Sequence, residues 1–261
     1  MFLEKMAALK REEVRERKKL FSWAERQKKI ANLPAPRDFL GALAKSGPLA
    51  LIAEIKRASP SAGIIREGAD ILGMAKKYEE GEASAISVLT EGRFFRGDLG
   101  HIKIVKDGVA LPVLQKDFVI DSFQIYEGRM AGADALLLIA ALLERDPLRE
   151  FAELTQDLGL VPLVEVHDEE DLEKIRGLNL PLIGINNRCL KTLEVKLETT
   201  ARLFPKISEK TMVISESGIK TREDVKHLQD VGVKGILVGE TLMRAGNPAA
   251  KIRELLNLMV S

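Results

Sequence analysis

From Ala50 onward the chain repeats one pattern eight times, and that repetition restricts its fold more than any other feature. Short apolar runs sit near residues 51–55, 84–88, 111–114, 134–139, 160–164, 181–185, 211–214 and 234–238, separated by longer segments of helical period. Several runs are apolar throughout rather than alternating, as parallel strands covered on both faces are. The intervening segments carry helix-start signals. Asp121 precedes Ser122-Phe123-Gln124, Asp168 opens an acidic first turn, and Thr221-Arg222-Glu223-Asp224 has capping-box spacing. Asn247-Pro248 is a cap followed by proline at the first helical position, leading into Ile252, Leu255, Leu256 and Met259 on one face. Eight strands, each followed by a helix, in a chain of 261 residues predict an α/β fold, a (β/α)8 TIM barrel. A doubly wound sheet is the alternative, but no Gly-x-Gly-x-x-Gly turn follows the first strand.

The first 47 residues stand outside the repeat and read as an N-terminal helical extension, with the barrel over 48–261 and the whole of 1–261 as a single domain. Residues 2–30 read as one helix, with Leu3, Met6, Leu9, Val14 and Leu20 at roughly helical spacing. Lys10 to Lys19 is dense in Lys, Arg and Glu; interleaved signs predict a solvated face rather than a nucleic-acid patch. Asn32-Leu33-Pro34-Ala35-Pro36 breaks the helix, and Arg37 to Lys45 reads as a second short one. The net charge of +1 points to neither nucleic acid nor an anionic membrane. The longest apolar run, Ala135 to Leu143, is too short to span a bilayer. Met1-Phe2-Leu3-Glu4-Lys5 lacks a secretory pattern, and the single cysteine, Cys189, excludes an intrachain disulfide; both fit a cytoplasmic location.

Charge recurs where the apolar runs end. The first run leads into Glu54 and Lys56, two residues apart and so on one face of a strand. Buried, such a pair needs a partner: it is either a structural ion pair or part of a site. Gln115-Lys116-Asp117-Phe118 follows the third run, Glu165 the fifth, Asn186-Asn187-Arg188 the sixth, Ser215-Glu216-Ser217-Gly218 the seventh and Gly239-Glu240 the eighth. In a barrel these positions converge on the mouth at the carboxyl ends of the strands, where active sites of this fold lie. Ser217-Gly218 and Val238-Gly239 sit on the last two strands, where backbone N–H groups of barrels hold phosphates; ordinary turn glycines are the alternative.

Glu54-Ile55-Lys56-Arg57-Ala58-Ser59-Pro60-Ser61 resembles the signature of the indole-3-glycerol phosphate synthase family, barrel enzymes of tryptophan biosynthesis. Leu111 to Phe118, Ile183 to Arg188 and Ser215 to Ile219 match as well, together with Ser87-Val88-Leu89-Thr90-Glu91 and Leu163-Val164-Glu165-Val166-His167. The likeness runs nearly end to end and includes the extension. Three places depart from the family pattern: Gly92-Arg93 replaces a proline-containing loop, Cys189 stands where asparagine or aspartate is common, and Gln115 often appears as arginine.

The resemblance implies a lyase that converts 1-(2-carboxyphenylamino)-1-deoxyribulose 5-phosphate into indole-3-glycerol phosphate by ring closure, decarboxylation and dehydration. It assigns Lys116 as general acid and Glu165 as base, with Lys56, held by Glu54, as binding group and second acid. Arg188 and Ser59 would hold the carboxylate, Asn186 and Glu216 the sugar hydroxyls, and Leu89, Phe95 and Phe118 the anthranilate ring. Ser217, Gly218, Gly239 and Glu240 would hold the phosphate. It implies no metal and no organic cofactor; His101, His167 and His227 are scattered without ligand spacing, and surface or helix-start roles suffice for them. Cys189 has no evident partner base. The expected partner is a phosphorylated small molecule, with no nucleic acid and no membrane. The expected state is a monomer, with weak association with other tryptophan-pathway enzymes as the alternative. The rival readings are another phosphate-binding barrel, such as phosphoribosylanthranilate isomerase, and a non-catalytic metabolite-binding barrel.

Overall fold

A computed structural model describes residues 2–20, 22–190 and 192–258, without the side chains of residues 2 and 23–26. Met259 lies outside that span. Eight parallel strands close into a barrel: β1 (Ala50–Ile55), β2 (Ala85–Leu89), β3 (Val113–Lys116), β4 (Ala135–Ile139), β5 (Val161–Val166), β6 (Leu182–Asn186), β7 (Met212–Glu216) and β8 (Gly235–Val238). Each pairs with its neighbour in sequence, and β8 returns to β1. Three helices precede the barrel: α1 (Phe2–Lys18), α2 (Trp23–Ala31) and α3 (Phe39–Ala44). Around it run α4 (Ile71–Glu80), α5 (Gly100–Gly108), α6 (Ser122–Ala131), α7 (Arg145–Asp157), α8 (Glu169–Ile175), α9 (Glu198–Leu203) and α10 (Arg222–Val231), with α11 (Glu240–Arg244) and α12 (Pro248–Leu256) last.

The expected caps form. Asp121, Asp168, Thr221 and Asn247 each accept a hydrogen bond from a first-turn N–H, and Thr221 with Asp224 makes the reciprocal capping box. The strands run one or two residues past their apolar stretches, because ladder hydrogen bonds continue after hydrophobicity stops. Glu54, Lys116, Glu165, Asn186 and Glu216 therefore lie within strands, not in loops. Strand rigidity, rather than loop packing, aims them.

Two layers of apolar side chains share the core. The outward strand faces pack against the helices. The inward faces fill the barrel with Ala50, Ile52, Leu114, Leu137, Leu163, Leu182, Ile214 and Leu237. Phe39 and Leu43 of α3 join this inner cluster just before the chain enters β1, so α3 covers the amino end of the barrel. Met6 of α1 joins the same cluster together with Phe118, which follows β3 at the carboxyl end.

The extension departs from expectation in two ways. Residues 2–30 are not one helix: α1 ends at Lys18, and Lys19 and Leu20 donate to carbonyls three residues back, closing the helix in a tight turn. Leu20 is 72% exposed, so no apolar contact holds a further turn in place. Nor is the whole Lys10 to Lys19 run a solvated face. Lys10 is 2% exposed and its Nζ lies 2.9 Å from Asp117 Oδ1 and 3.1 Å from Glu13 Oε2. It occupies the helical stripe of Leu3, Met6, Ala7 and Val14, and a carboxylate across the interface admits it there. Two further elements gave no sequence signal: α11, and a short antiparallel ribbon of Ala58–Ser59 with Gly63–Ile64 after β1.

Candidate active site

A cavity of about 930 Å³ opens at the carboxyl ends of the strands, and all fifteen residues expected in the site line it. Glu54 rises from β1, Leu89 from β2, Lys116 from β3, Glu165 from β5, Asn186 from β6 and Glu216 from β7. Lys56, Ser59, Phe95, Phe118, Arg188, Ser217, Gly218, Gly239 and Glu240 line the same space from just beyond the strands. Register explains the convergence. Lys116 pairs with Leu89, Glu165 with both Ile139 and Gly184, and Glu216 with both Asn186 and Leu237, all near the strand ends.

Lys116 is the electrostatic centre. Its Nζ lies 2.9 Å from Glu165 Oε2 and 2.9 Å from Glu216 Oε2, while the side chain keeps 14% exposure. Burial disfavours the ammonium, but Glu165, Glu216 and Glu54 outweigh that and raise its pKa. The two carboxylates sharing it are pushed apart. Burial opposes ionisation of Glu165, yet Lys116 and His167 together lower its pKa. Glu216 has Lys116 as its cation and the charge of Glu165 nearby, so burial and repulsion push it up to about 7.

A second pair stands beside the phosphate-type loops. Lys56 Nζ is 2.6 Å from Glu54 Oε1. A Cβ on Gly239 would lie 2.3 Å from that carboxylate oxygen and 3.2 Å from the amine, so Gly239 lacks a side chain because the ion pair occupies the space. Ser217 and Gly218 are successive left-handed residues, with φ of 68° and 87°. A Cβ on Gly218 would also meet Val195 at 2.5 Å. Glu240 is the first residue of α11, and its carboxylate accepts from Arg244 Nε at 2.8 Å.

The ring-binding candidates are held in place from below. Phe95 and Phe118 tilt at 46° with centroids 6.1 Å apart. The Gly92-Arg93 departure from the family pattern is accommodated by Glu91, whose buried carboxylate accepts the N–H groups of Arg93, Phe94 and Phe95 at 2.8, 2.8 and 3.1 Å. Arg188 donates to the Leu193 carbonyl, and its own N–H is accepted by Asn186 Oδ1. Ser59 Oγ accepts from Ala62 N and lies near Ser61 Oγ.

Sequence reasoning left out three groups. Leu190, Leu193, Val195 and Leu197 form an apolar wall from the segment after β6; their near-alternation was the available signal. Lys220, Arg244 and Lys251 stand on the outer rim. The third is His167, assigned a surface or helix-start role. Its side chain is 7% exposed and its Nε2 stands 3.1 Å from Glu165 Oε1, so the surface reading is wrong. Its position two residues after Glu165 was the signal, since both then face the same way.

A closed parallel barrel with acids and ammonium groups gathered at the carboxyl ends of its strands is the architecture of a (β/α)8-barrel enzyme. Solved structures of the same fold include 3-hexulose-6-phosphate synthase from Salmonella typhimurium, with a TM-score of 0.62 at 16% identity over 81% of this chain and 100% of that one. Thiamine phosphate pyrophosphorylase from Pyrococcus furiosus aligns with a TM-score of 0.61 at 16% identity, over 82% of this chain and 96% of its own. Those likenesses speak to fold alone. The family model for indole-3-glycerol phosphate synthase matches residues 3–255. Relatives bearing that name include one from Caldanaerobacter subterraneus subsp. tengcongensis, 51% identical over 94% of each chain. Another, from Acetivibrio thermocellus, is 45% identical over 97% of this chain and 98% of its own. The chain belongs to the indole-3-glycerol phosphate synthase family, carboxy-lyases of tryptophan biosynthesis.

Proposed function

We propose that the cavity binds 1-(2-carboxyphenylamino)-1-deoxyribulose 5-phosphate, and that Lys116 and Glu165 carry the proton transfers forming indole-3-glycerol phosphate. The observation that carries this is the Lys116 ammonium, 2.9 Å from two carboxylates and still open to the cavity. The ring carbon bearing the carboxylate attacks the ketone carbon, and Lys116 gives its proton to the ketone oxygen. The carboxylate leaves as carbon dioxide, and the electrons of its carbon–carbon bond restore the aromatic ring. Water then departs from the new carbinol with a proton from the Lys56 ammonium, or from Lys116 once it has regained a proton from solvent, while Glu165 takes a proton from the adjoining carbon. Acid and base steps of this kind contribute roughly 10²–10⁴-fold each. Once Lys116 has given up its proton, Glu165 has lost the cation at its Oε2 and becomes the stronger base.

Lys56 and the N–H groups around Ser217, Gly218, Gly239 and Glu240 hold the phosphate. The Glu240 carboxylate is engaged by Arg244, so its contribution there is through the backbone. Arg188 and Ser59 hold the substrate carboxylate, Asn186 and Glu216 the sugar hydroxyls, and Leu89, Phe95 and Phe118 the anthranilate ring. Extension and barrel work as one folded unit, in the cytoplasm and as a monomer. No helix among the described residues is long and apolar enough to cross a membrane. Purified protein mixed with the carboxyphenylamino-deoxyribulose phosphate should generate indole absorbance and fluorescence without added metal. Lys116→Met and Glu165→Gln should each lose roughly 10²-fold or more. Full activity in either variant removes that residue from its role.

A further inference from the structure

His167 follows β5 by one residue and faces the same side as Glu165. Its ring lies between two carboxylates. Nδ1 is 3.2 Å from Asp171 Oδ2, and Nε2 is 3.1 Å from Glu165 Oε1, off the line of a good hydrogen bond. Asp171, buried in the first turn of α8, also accepts the His167 N–H at 2.9 Å, and its own N–H is accepted by the N-cap Asp168. Ring, carboxylate and helix start are thus one assembly.

A neutral imidazole cannot satisfy that position. With the proton on Nδ1, the Nε2 lone pair would face the oxygen of Glu165; with the proton on Nε2, the Nδ1 lone pair would face Asp171. The cation alone presents N–H to both sides. We propose that His167 is a positioning residue for the base: an imidazolium clamped by Asp171 that holds Glu165 Oε1, keeps Glu165 ionised, and leaves Oε2 turned toward Lys116. The inference rests on the reading of Glu165 as the base and extends it. When Lys116 has passed its proton to substrate, the imidazolium remains as the cation that keeps Glu165 free of a stray proton.

Other charges around the assembly are accounted for. Lys116 from β3 faces Glu165, and Glu216 from β7 and Glu54 from β1 lie beyond that lysine. Lys174 of α8 donates to the Ala140 and Leu143 carbonyls instead. Burial disfavours the charged ring, but the hydrogen bond with Asp171 and the nearby charges of Glu165 and Asp171 override it and push the pKa up to about 9.

Three measurements on the full chain test this. Ring ¹⁵N shifts of the wild-type protein should report a His167 imidazolium at pH 7; a neutral ring there overturns the proposal without any variant. His167→Asn and His167→Gln should lower kcat roughly 10–100-fold, the usual effect of losing a partner that orients a working group, with KM little changed. Their acid limb should move to higher pH, because Glu165 without its cation takes up a proton more readily. Asp171→Asn should move both in the same direction by less, and His167→Asn/Asp171→Asn should be no worse than His167→Asn alone. Wild-type kcat and acid limb in both His167 variants, or additive losses in the double variant, would overturn it. Glu165→Gln separates the two readings: if it is fully active the base assignment fails, and if it is crippled while His167→Asn is unaffected only the present inference fails.

Discussion

Gly184 is the position where one methyl group tests the geometry of the whole site. It lies on β6 between Glu165 of β5 and Ile214 of β7. The space its missing side chain leaves is filled by Glu216: a Cβ there would lie 2.1 Å from Glu216 Oε1. Ordinary contact begins at 3.4 Å, so in Gly184→Ala the carboxylate must retreat by about 1.3 Å. A movement that size breaks the 2.9 Å contact between Glu216 Oε2 and Lys116 and turns the ammonium toward Glu165. Misplacement of a catalytic group by about 1 Å costs on the order of 10²-fold in rate. Gly184→Ala should therefore lose about 10²-fold in kcat, followed by indole fluorescence under saturating substrate. Stability should fall by roughly 1–3 kcal/mol, the usual cost of forcing an extra methyl into a packed interior, although Gly184 has no positive φ to forbid alanine. Activity within about twofold of wild type, at unchanged stability, would refute the placement of Glu216 over Gly184 and the dependence of Lys116 on it.

Three other perturbations test separate parts of the structure. Lys10→Met strands Asp117, which among the described residues keeps the Thr90 hydroxyl and the Phe118 N–H as donors; breaking a buried pair costs roughly 3 kcal/mol, and a loss under about 0.5 kcal/mol in urea unfolding would deny that α1 is anchored there. Glu91→Ala frees three N–H groups that fix the loop carrying Phe95, so KM should rise about tenfold, or about 1.4 kcal/mol; an unchanged KM would show that the loop holds without the carboxylate. His167 has its folded pKa raised from 6.5 to about 9, so its stabilisation is complete below pH 6.5 and is lost as pH rises through about 9. Unfolding free energy should fall by roughly 3 kcal/mol between pH 6 and pH 9.5, and His167→Gln should remove that slope; a flat wild-type profile would refute the charged ring.

Much of the fold was legible because it is written in periodicity. Eight apolar runs alternating with amphipathic segments allow few arrangements, and the caps at Asp121, Asp168, Thr221 and Asn247 are local chemistry that needs no tertiary partner. The site was legible for a related reason: closure of the barrel brings every strand end to one rim, so charges following apolar runs must meet. Less legible was anything set by what lies opposite. Lys10 reads as one more charge in a charged run, and only Asp117, 107 positions later in the chain, makes it a buried group. His167 reads as an isolated histidine until Asp171 and Glu165 close on its two nitrogens. Gly184 looks like a weak strand residue until Glu216 is seen filling its space.

By itself the sequence determined the strands, their order, the helix starts and the set of side chains that a closed barrel would bring to its mouth. Only the tertiary structure decided which carboxylate shares Lys116 with which, where α1 ends and what it buries, and which carboxylates close on His167. The division has a physical cause. Periodicity and capping act through neighbours in the chain, whereas ionisation and ion pairing depend on burial and on charges a few ångströms away, whose distance along the chain is unrelated to their distance in space.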